Sequence, residues 1–281
     1  ACVMLPAIIQ ELLSMIHPTA IIEPGAQLGV NVSLGPYAHV AATARLGDGC
    51  VLDSHAVVKD YTTIGARCRL HTGAVIGGEP QDLSFKNEPS YVVTGDDCIF
   101  REGVTVNRGT KPGTTTRIGN HVFMMANSHA AHNCEVGDHV ILANGVLLAG
   151  YVTVGERAFL GGGVGVHQFC HIGRLAMVGA ISVITKDLLP FCVAANCANS
   201  MVFGLNIIGL RRAGFTPEQR AQVKQAFHVL YRAGLNTTQA RDQLSAATDN
   251  PFAQEYAEFL SRAKRGICRF SHTVAADEAD A

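Results

Sequence analysis

The stretch IGNHVFMMANSHAAHNCEVGDHVILANGVLLAGYVTVGERAFLGGGVGVHQFCHIGRLAMVGAISVI, residues 118–184, decides the fold. Every sixth residue in it is apolar: Ile118, Met124, Ala130, Val136, Leu142, Leu148, Val154, Leu160, Val166, Ile172, Val178 and Ile184. The same period runs upstream from Ile16 through Ile22, Leu28, Leu34, Val40, Leu46, Leu52, Val58, Ile64 and Leu70 to Ile76. In a chain that is 48% hydrophobic, chance gives such a run about once in twenty million trials, before the phase is chosen. Glycine often follows the aliphatic residue, as at Gly29, Gly47, Gly119 and Gly155, and a small or β-branched residue comes four positions after it. A period of six matches neither a helix nor a plain alternating strand. It matches a solenoid in which each hexad supplies one short strand and one corner, with the aliphatic side chain inward and glycine relieving the turn.

This pattern resembles the hexapeptide-repeat family, whose coils hold three hexads. The resemblance implies an all-β left-handed parallel β-helix (a hexapeptide-repeat solenoid); general crossover rules alone would favour the right hand. The repeat is expected over residues 15–189, behind an extension at 1–14. Two insertions interrupt it, GEPQDLSFKNEPSYVV at 78–93 and NRGTKPGTTTR at 107–117, with Thr94, Phe100 and Val106 keeping the period between them. Loops leaving a rigid solenoid are where binding residues collect. Beyond Pro190 the period stops, and a C-terminal α-helical domain is expected over 190–270. Its signals are Thr216-Pro217-Glu218-Gln219 as a capped helix start, Val223, Phe227 and Leu230 at helical spacing, and Gly234 as a stop. A further helix is expected from Pro251 to about Arg265. The acidic tail over 271–281 reads as disordered.

Composition excludes other classes. Net charge is -1, against a nucleic-acid coat or a polybasic membrane binder. Charged residues are 16% and aromatics 6%, tryptophan is absent and there are 29 glycines, which suits many short strands rather than an ordinary enzyme core. No stretch reads as a membrane span, and the start lacks a basic leader and a cleavage site. Nine cysteines with no CxxC read as buried reduced thiols of a cytoplasmic protein.

Residues about 18 apart stack on successive coils. His132, Tyr151 and His167 therefore gather near one corner, with His129 three residues before His132. Gly150 stacks over His132 and can offer a backbone N–H to a developing oxyanion, which favours acyl transfer with a histidine general base. A metal site on His129 and His132, as in a hydratase of this architecture, is a rival reading, and surface histidines are the plain one.

The segments IHPTAIIEPGAQLG, GGEPQDLSFKNEP, NRGT, ANSHAAHNCEVG, ILANGVLLAG, VHQF, FGLNIIGLRRAGF and LYRAG resemble the UDP-N-acetylglucosamine O-acyltransferases that open lipid A synthesis. The likeness runs from about Ile16 to Arg265. It implies that His132 takes the proton from the sugar 3-hydroxyl, that Asn133 orients its ring and that Gly150 binds the oxyanion. It implies substrate contacts at Gln81, Asp82, His129, Tyr151, His167, Gln168, Asn206, Arg211 and Arg212, and an acyl-chain end near Met177 and Ala180. It implies acyl carrier protein as the acyl donor, an acidic partner that a cluster such as Arg211, Arg212, Arg220 and Lys224 could dock. It implies UDP-N-acetylglucosamine as the acceptor. No cofactor and no metal are implied, and the family acts as a homotrimer. Four positions depart from the family pattern: Tyr151 for histidine, Asn133 for aspartate, Asn199 for histidine and Ile208 for glutamate. They leave open an altered acceptor such as a 3-amino sugar nucleotide. The N-acyltransferase of the same pathway and a non-catalytic solenoid are further rival readings of this chain.

Overall fold

The structure, a computed structural model, describes residues 15–195 and 201–271. The extension at 1–14, the tail beyond Ser271, Cys2, Cys197 and Asn199 lie outside them. Two-residue strands repeat along the chain and stack as three parallel sheets, one per side of a left-handed prism, with nine, eight and eleven strands. Register follows the period: Ile141 pairs with Phe159, which pairs with Met177. The second residue of each strand points inward. Leu34, Leu52, Leu70, Phe100, Met124, Leu142, Leu160 and Val178 form one buried column inside the eleven-stranded face. Each such side chain contributes about 1.5–3 kcal/mol by leaving water. On the first described rung Ile16 and Ile22 are exposed.

The corners work differently from the sequence reading. Apart from Gly77, the glycine after the aliphatic residue is not the one that takes up the left-handed turn. A Cβ on Gly47 would lie 2.6 Å from the backbone nitrogen of Ala66 on the next rung, so glycine there lets rungs approach. The left-handed residue comes two positions later on most rungs; glycine fills it at Gly49 and Gly163, but non-glycine residues fill it at Asn31, His121, Asn133, Tyr151 and Phe169, with φ of 54–67°.

Both insertions are shorter than expected. Strands Val75–Gly78 and Tyr91–Thr94 leave a loop of 79–90, and strands Thr105–Asn107 and Thr115–Ile118 leave one of 108–114. Tyr91-Val92-Val93-Thr94 is a run of strand formers, and it pairs on both sides, Val92 with Thr62 and with Thr116.

The sheet also continues past Pro190. Cys192–Ala195 extends the eleven-stranded face parallel to Met177–Val178, Met201–Leu205 returns antiparallel, and Arg269–Phe270 closes the edge. Four helices then cover the end: α1 (Ile207–Arg212), α2 (Pro217–Tyr231), α3 (Thr237–Ala246) and α4 (Pro251–Arg262). Helix α2 starts with the capping box of Thr216 and Gln219. Helix α3, which the sequence reading missed, uses Asn236 and Gln239 in the same way. Helix α4 ends at Arg262, short of Arg265. Arg174 locks helices to prism: its guanidinium lies over the Phe191 ring at 4.7 Å and forms two bonds to Glu255, of 2.7 and 2.8 Å. Among the described residues no helix is long and apolar enough to cross a membrane.

The three faces differ in chemistry. Outward positions of the eleven-stranded face include Ile99, Phe123, Ile141, Phe159 and Met177, and those of the nine-stranded face Val57, Val75, Leu147 and Val183. Leu147 is 54% exposed in the single chain. The eight-stranded face carries Arg45, Thr63, Arg117, Glu135, Thr153 and His171. The eleven-stranded face is mostly apolar, the nine-stranded face mixes these aliphatic residues with His39, Thr105 and His129, and the eight-stranded face is mostly polar.

Candidate active site

His129–Ala130 is a strand of the nine-stranded face, and the chain turns after it toward the eight-stranded face. His132 stands on that corner and is 7% exposed. The next rung repeats the corner with Gly150 and Tyr151, and the one after with Gln168 and Phe169. Rungs are tied by Tyr151 N–H to His132 O at 3.0 Å and Phe169 N–H to Gly150 O at 3.1 Å. The His132 ring lies over Gly150 so closely that a Cβ there would sit 2.5 Å from Nε2. Among the described residues the Gly150 N–H has no hydrogen-bond acceptor. A bare donor beside an imidazole is the arrangement that acyl transfer requires.

Behind the ring, His132 Nδ1 is 3.2 Å from Asn133 Oδ1. That oxygen also accepts from Thr110 N–H at 3.0 Å and Thr110 Oγ1 at 3.1 Å, and Thr110 Oγ1 lies 3.1 Å from the Tyr151 hydroxyl. Asn133 holds its own corner through its N–H, which bonds Thr116 Oγ1 at 2.7 Å. The edge of Tyr151 meets the His132 ring at 5.3 Å between centroids, and its other side stacks on Phe169 at 5.0 Å.

In front of the ring, Asp82 Oδ2 faces Nε2 at 3.7 Å. The loop 79–90 carries it there. Ser84 N–H and Oγ, each at 2.8 Å, hold Asp82 Oδ1. These bonds, and then the imidazole, keep the carboxyl below the usual aspartate range, so it remains ionised. His129 projects from the nine-stranded face with Nδ1 2.7 Å from Thr105 Oγ1. Burial pushes its pKa down, so it is the neutral neighbour. Gln81 and His167 are exposed at the rim, and Gln168 is half-buried.

The remaining sequence candidates stand apart. Asn206 caps α1, accepting from Gly209 N–H at 2.9 Å while its amide donates to Leu175 O at 2.9 Å. One hydrogen and one lone pair of that amide are thus used inside the chain. Arg211 and Arg212 are exposed at the end of α1. Met177 lies on the eleven-stranded face and Ala180 on the corner after it. One protomer therefore places the acyl-end pair on a different side of the prism from His132. Among the described residues no group of three His, Cys, Asp or Glu side chains is set to hold a metal ion.

Sequence reasoning gave no role to Thr110 or Arg108, both in the NRGT stretch. Arg108 is 7% exposed, between the rings of Tyr61 at 5.2 Å and Phe85 at 5.0 Å, with Nη2 3.5 Å from Glu79 Oε1. Phe85 and Glu79 belong to the loop that carries Asp82, so Arg108 clamps that loop to the prism. Arg108→Ala is expected to raise KM for the acceptor about tenfold while the fold survives. Steady-state kinetics beside a thermal melt checks this; an unchanged KM would show the loop to be held by other contacts.

Comparison with known proteins agrees with this geometry. A family profile described as UDP N-acetylglucosamine O-acyltransferase, domain 2, matches residues 187–268, and one described as bacterial transferase hexapeptide (six repeats) matches 115–150. The acyl-[acyl-carrier-protein]–UDP-N-acetylglucosamine O-acyltransferase of Syntrophobacter fumaroxidans is 38% identical over 256 residues, covering 90% of this chain and 99% of that protein. The LpxA structure from Acinetobacter baumannii superposes with a TM-score of 0.87 at 37% identity, covering 91% of this chain and all of that one. The UDP-N-acetylglucosamine acyltransferase of Francisella novicida gives 0.86 at 32% identity over 95% of this chain and all of its own. The prism, the histidine corner and these likenesses agree: the chain belongs to the UDP-N-acetylglucosamine O-acyltransferase family.

Proposed function

We propose that His132 is the general base of an acyl transfer from acyl carrier protein to the 3-hydroxyl of UDP-N-acetylglucosamine, the first step of lipid A biosynthesis. The observation that carries this is the His132 ring packed over Gly150, whose N–H has no acceptor among the described residues. His132 Nε2 takes the hydroxyl proton as the sugar oxygen bonds to the thioester carbonyl carbon. The carbonyl oxygen becomes an oxyanion and bonds to the Gly150 N–H. Collapse breaks the carbon–sulfur bond, and the leaving thiolate receives the proton from His132. Asp82, on the same side as Nε2, offsets the positive charge while the ring is protonated. It can also accept from a sugar hydroxyl. His129, His167, Gln168 and Gln81 line the acceptor's approach.

The assembly is a homotrimer in this reading. A closed three-fold ring needs two different patches that meet head to tail. The mostly apolar eleven-stranded face and the mixed nine-stranded face are such a pair, and the polar eight-stranded face stays in water. The same packing carries Met177 and Ala180 of one protomer toward the nine-stranded face of its neighbour, beside which His132 stands. Arg211, Arg212 and Lys224 are exposed on α1 and α2 and suit an acidic carrier protein. Both substrates are water-soluble, which fits a cytoplasmic site.

The acyl group is of medium length in this reading, because Ala180 narrows the end of the acyl path. Ala180 packs directly on the neighbouring rung, its nitrogen 2.6 Å from where a Cβ on Gly161 would stand. Ala180→Gly is expected to move the preferred donor about two carbons longer. A series of carrier-bound acyl chains of graded length checks this; best use of the longest chain by the unaltered protein would reject it.

A further inference from the structure

The bonds behind His132 fix more than its position. A backbone N–H can only donate, so the Asn133 side-chain atom facing Thr110 N–H is the amide oxygen rather than its NH2. An imidazole nitrogen facing that oxygen must carry its hydrogen, so Nδ1 is protonated and Nε2 keeps its lone pair toward the acceptor side, where Asp82 lies. If the amide turned over, its NH2 would face the ring, the hydrogen would move to Nε2, and the base would have no lone pair to offer.

We propose that Thr110 and Tyr151 are positioning residues that hold the Asn133 amide in its working orientation and thereby set the tautomer of His132. This rests on His132 being the base. Thr110 acts through its N–H and through its hydroxyl, 3.0 and 3.1 Å from Asn133 Oδ1. Tyr151 reaches from the next rung, 3.1 Å from Thr110 Oγ1, and donates to it. The Thr110 hydrogen is then directed at Asn133. An aspartate would need no such lock, because both of its oxygens accept. An asparagine does, because its two ends differ. The departures from the family pattern at 133 and 151 therefore belong together, joined by a threonine from the loop 108–114. Tyr151 is then a support for the base rather than a contact to the acceptor.

The test uses the full chain with Thr110→Val, Thr110→Ser, Tyr151→Phe and the double variant Thr110→Val/Tyr151→Phe, with thermal melts as the folding control. Thr110→Val is expected to lower kcat about tenfold and Tyr151→Phe about fourfold, with KM for both substrates within about twofold. Thr110→Ser keeps the hydroxyl and should stay within about twofold of the unaltered protein. The double variant should be no slower than Thr110→Val alone, because both changes cut one path. In the Asn133→Asp background, Tyr151→Phe should have no effect on kcat. Nitrogen-15 spectra of the imidazoles, taken without substrates, should give His132 the Nδ1–H pattern, with an Nε2–H share growing in Thr110→Val. An Nε2–H pattern in the unaltered protein would overturn the proposal. A raised acceptor KM with unchanged kcat in Tyr151→Phe would do the same, as would an equal Tyr151→Phe loss in both backgrounds. These results are separable from failure of the base itself, which His132→Ala reports: if that variant is inactive and the relay variants are not impaired, only the relay is wrong.

Discussion

His132→Ala should lower kcat/KM by about a thousandfold or more, within the range of a lost general base, while the melting temperature moves by only a few degrees. The ring is 7% exposed but sits on a corner outside the aliphatic column, so its removal opens no void in the core. Equal rates in both proteins would remove His132 from the mechanism, whatever the geometry around it.

Gly150→Ala should be the most damaging single methyl in the site. The backbone there is not left-handed, so alanine can adopt its conformation, but the new Cβ would lie 2.5 Å from His132 Nε2 and 2.9 Å from Nδ1. The ring must swing away from Asn133, and the methyl stands beside the N–H that receives the oxyanion. Loss of both functions should cost about a hundredfold to a thousandfold in kcat. The prism itself should persist, since the collision is with a side chain and not with the backbone of the next rung. Gly47→Ala provides the contrast, because there the backbone of Ala66 blocks the methyl. That variant should lose stability and not specific activity. A Gly150→Ala protein with full turnover would mean that the oxyanion is held elsewhere.

The fold was legible because a solenoid forces one rule on every rung: position six must be apolar or the interior is not filled. That rule holds at the inward strand positions from Leu34 to Ile184, with Thr94 as the polar exception. It says nothing of what closes the end. Met201–Leu205 is an antiparallel strand with no period of its own, and α1 is only six residues long, so the region past Pro190 reads as helices alone. Corner glycines were seen but misjudged, because a sequence shows that Cβ is missing without showing whether the turn or the next rung requires it. In the site, His132 and Gly150 are one full coil apart, and their stacking follows from counting. Asp82, Arg108 and Thr110 do not yield to counting. Each sits in an insertion whose path back to the prism breaks the period, so the rung it meets cannot be read from its number.

The central claim is that this corner acylates a sugar oxygen. The most direct measurement incubates the purified protein with 3-hydroxyacyl carrier protein and UDP-N-acetylglucosamine, then identifies the product by mass spectrometry and NMR. We expect one added acyl group, an ester at the sugar 3-oxygen with its H3 resonance moved downfield, and release of carrier thiol in equal amount. No ester on UDP-N-acetylglucosamine, with an amide formed instead when a 3-amino sugar nucleotide is supplied, would contradict it.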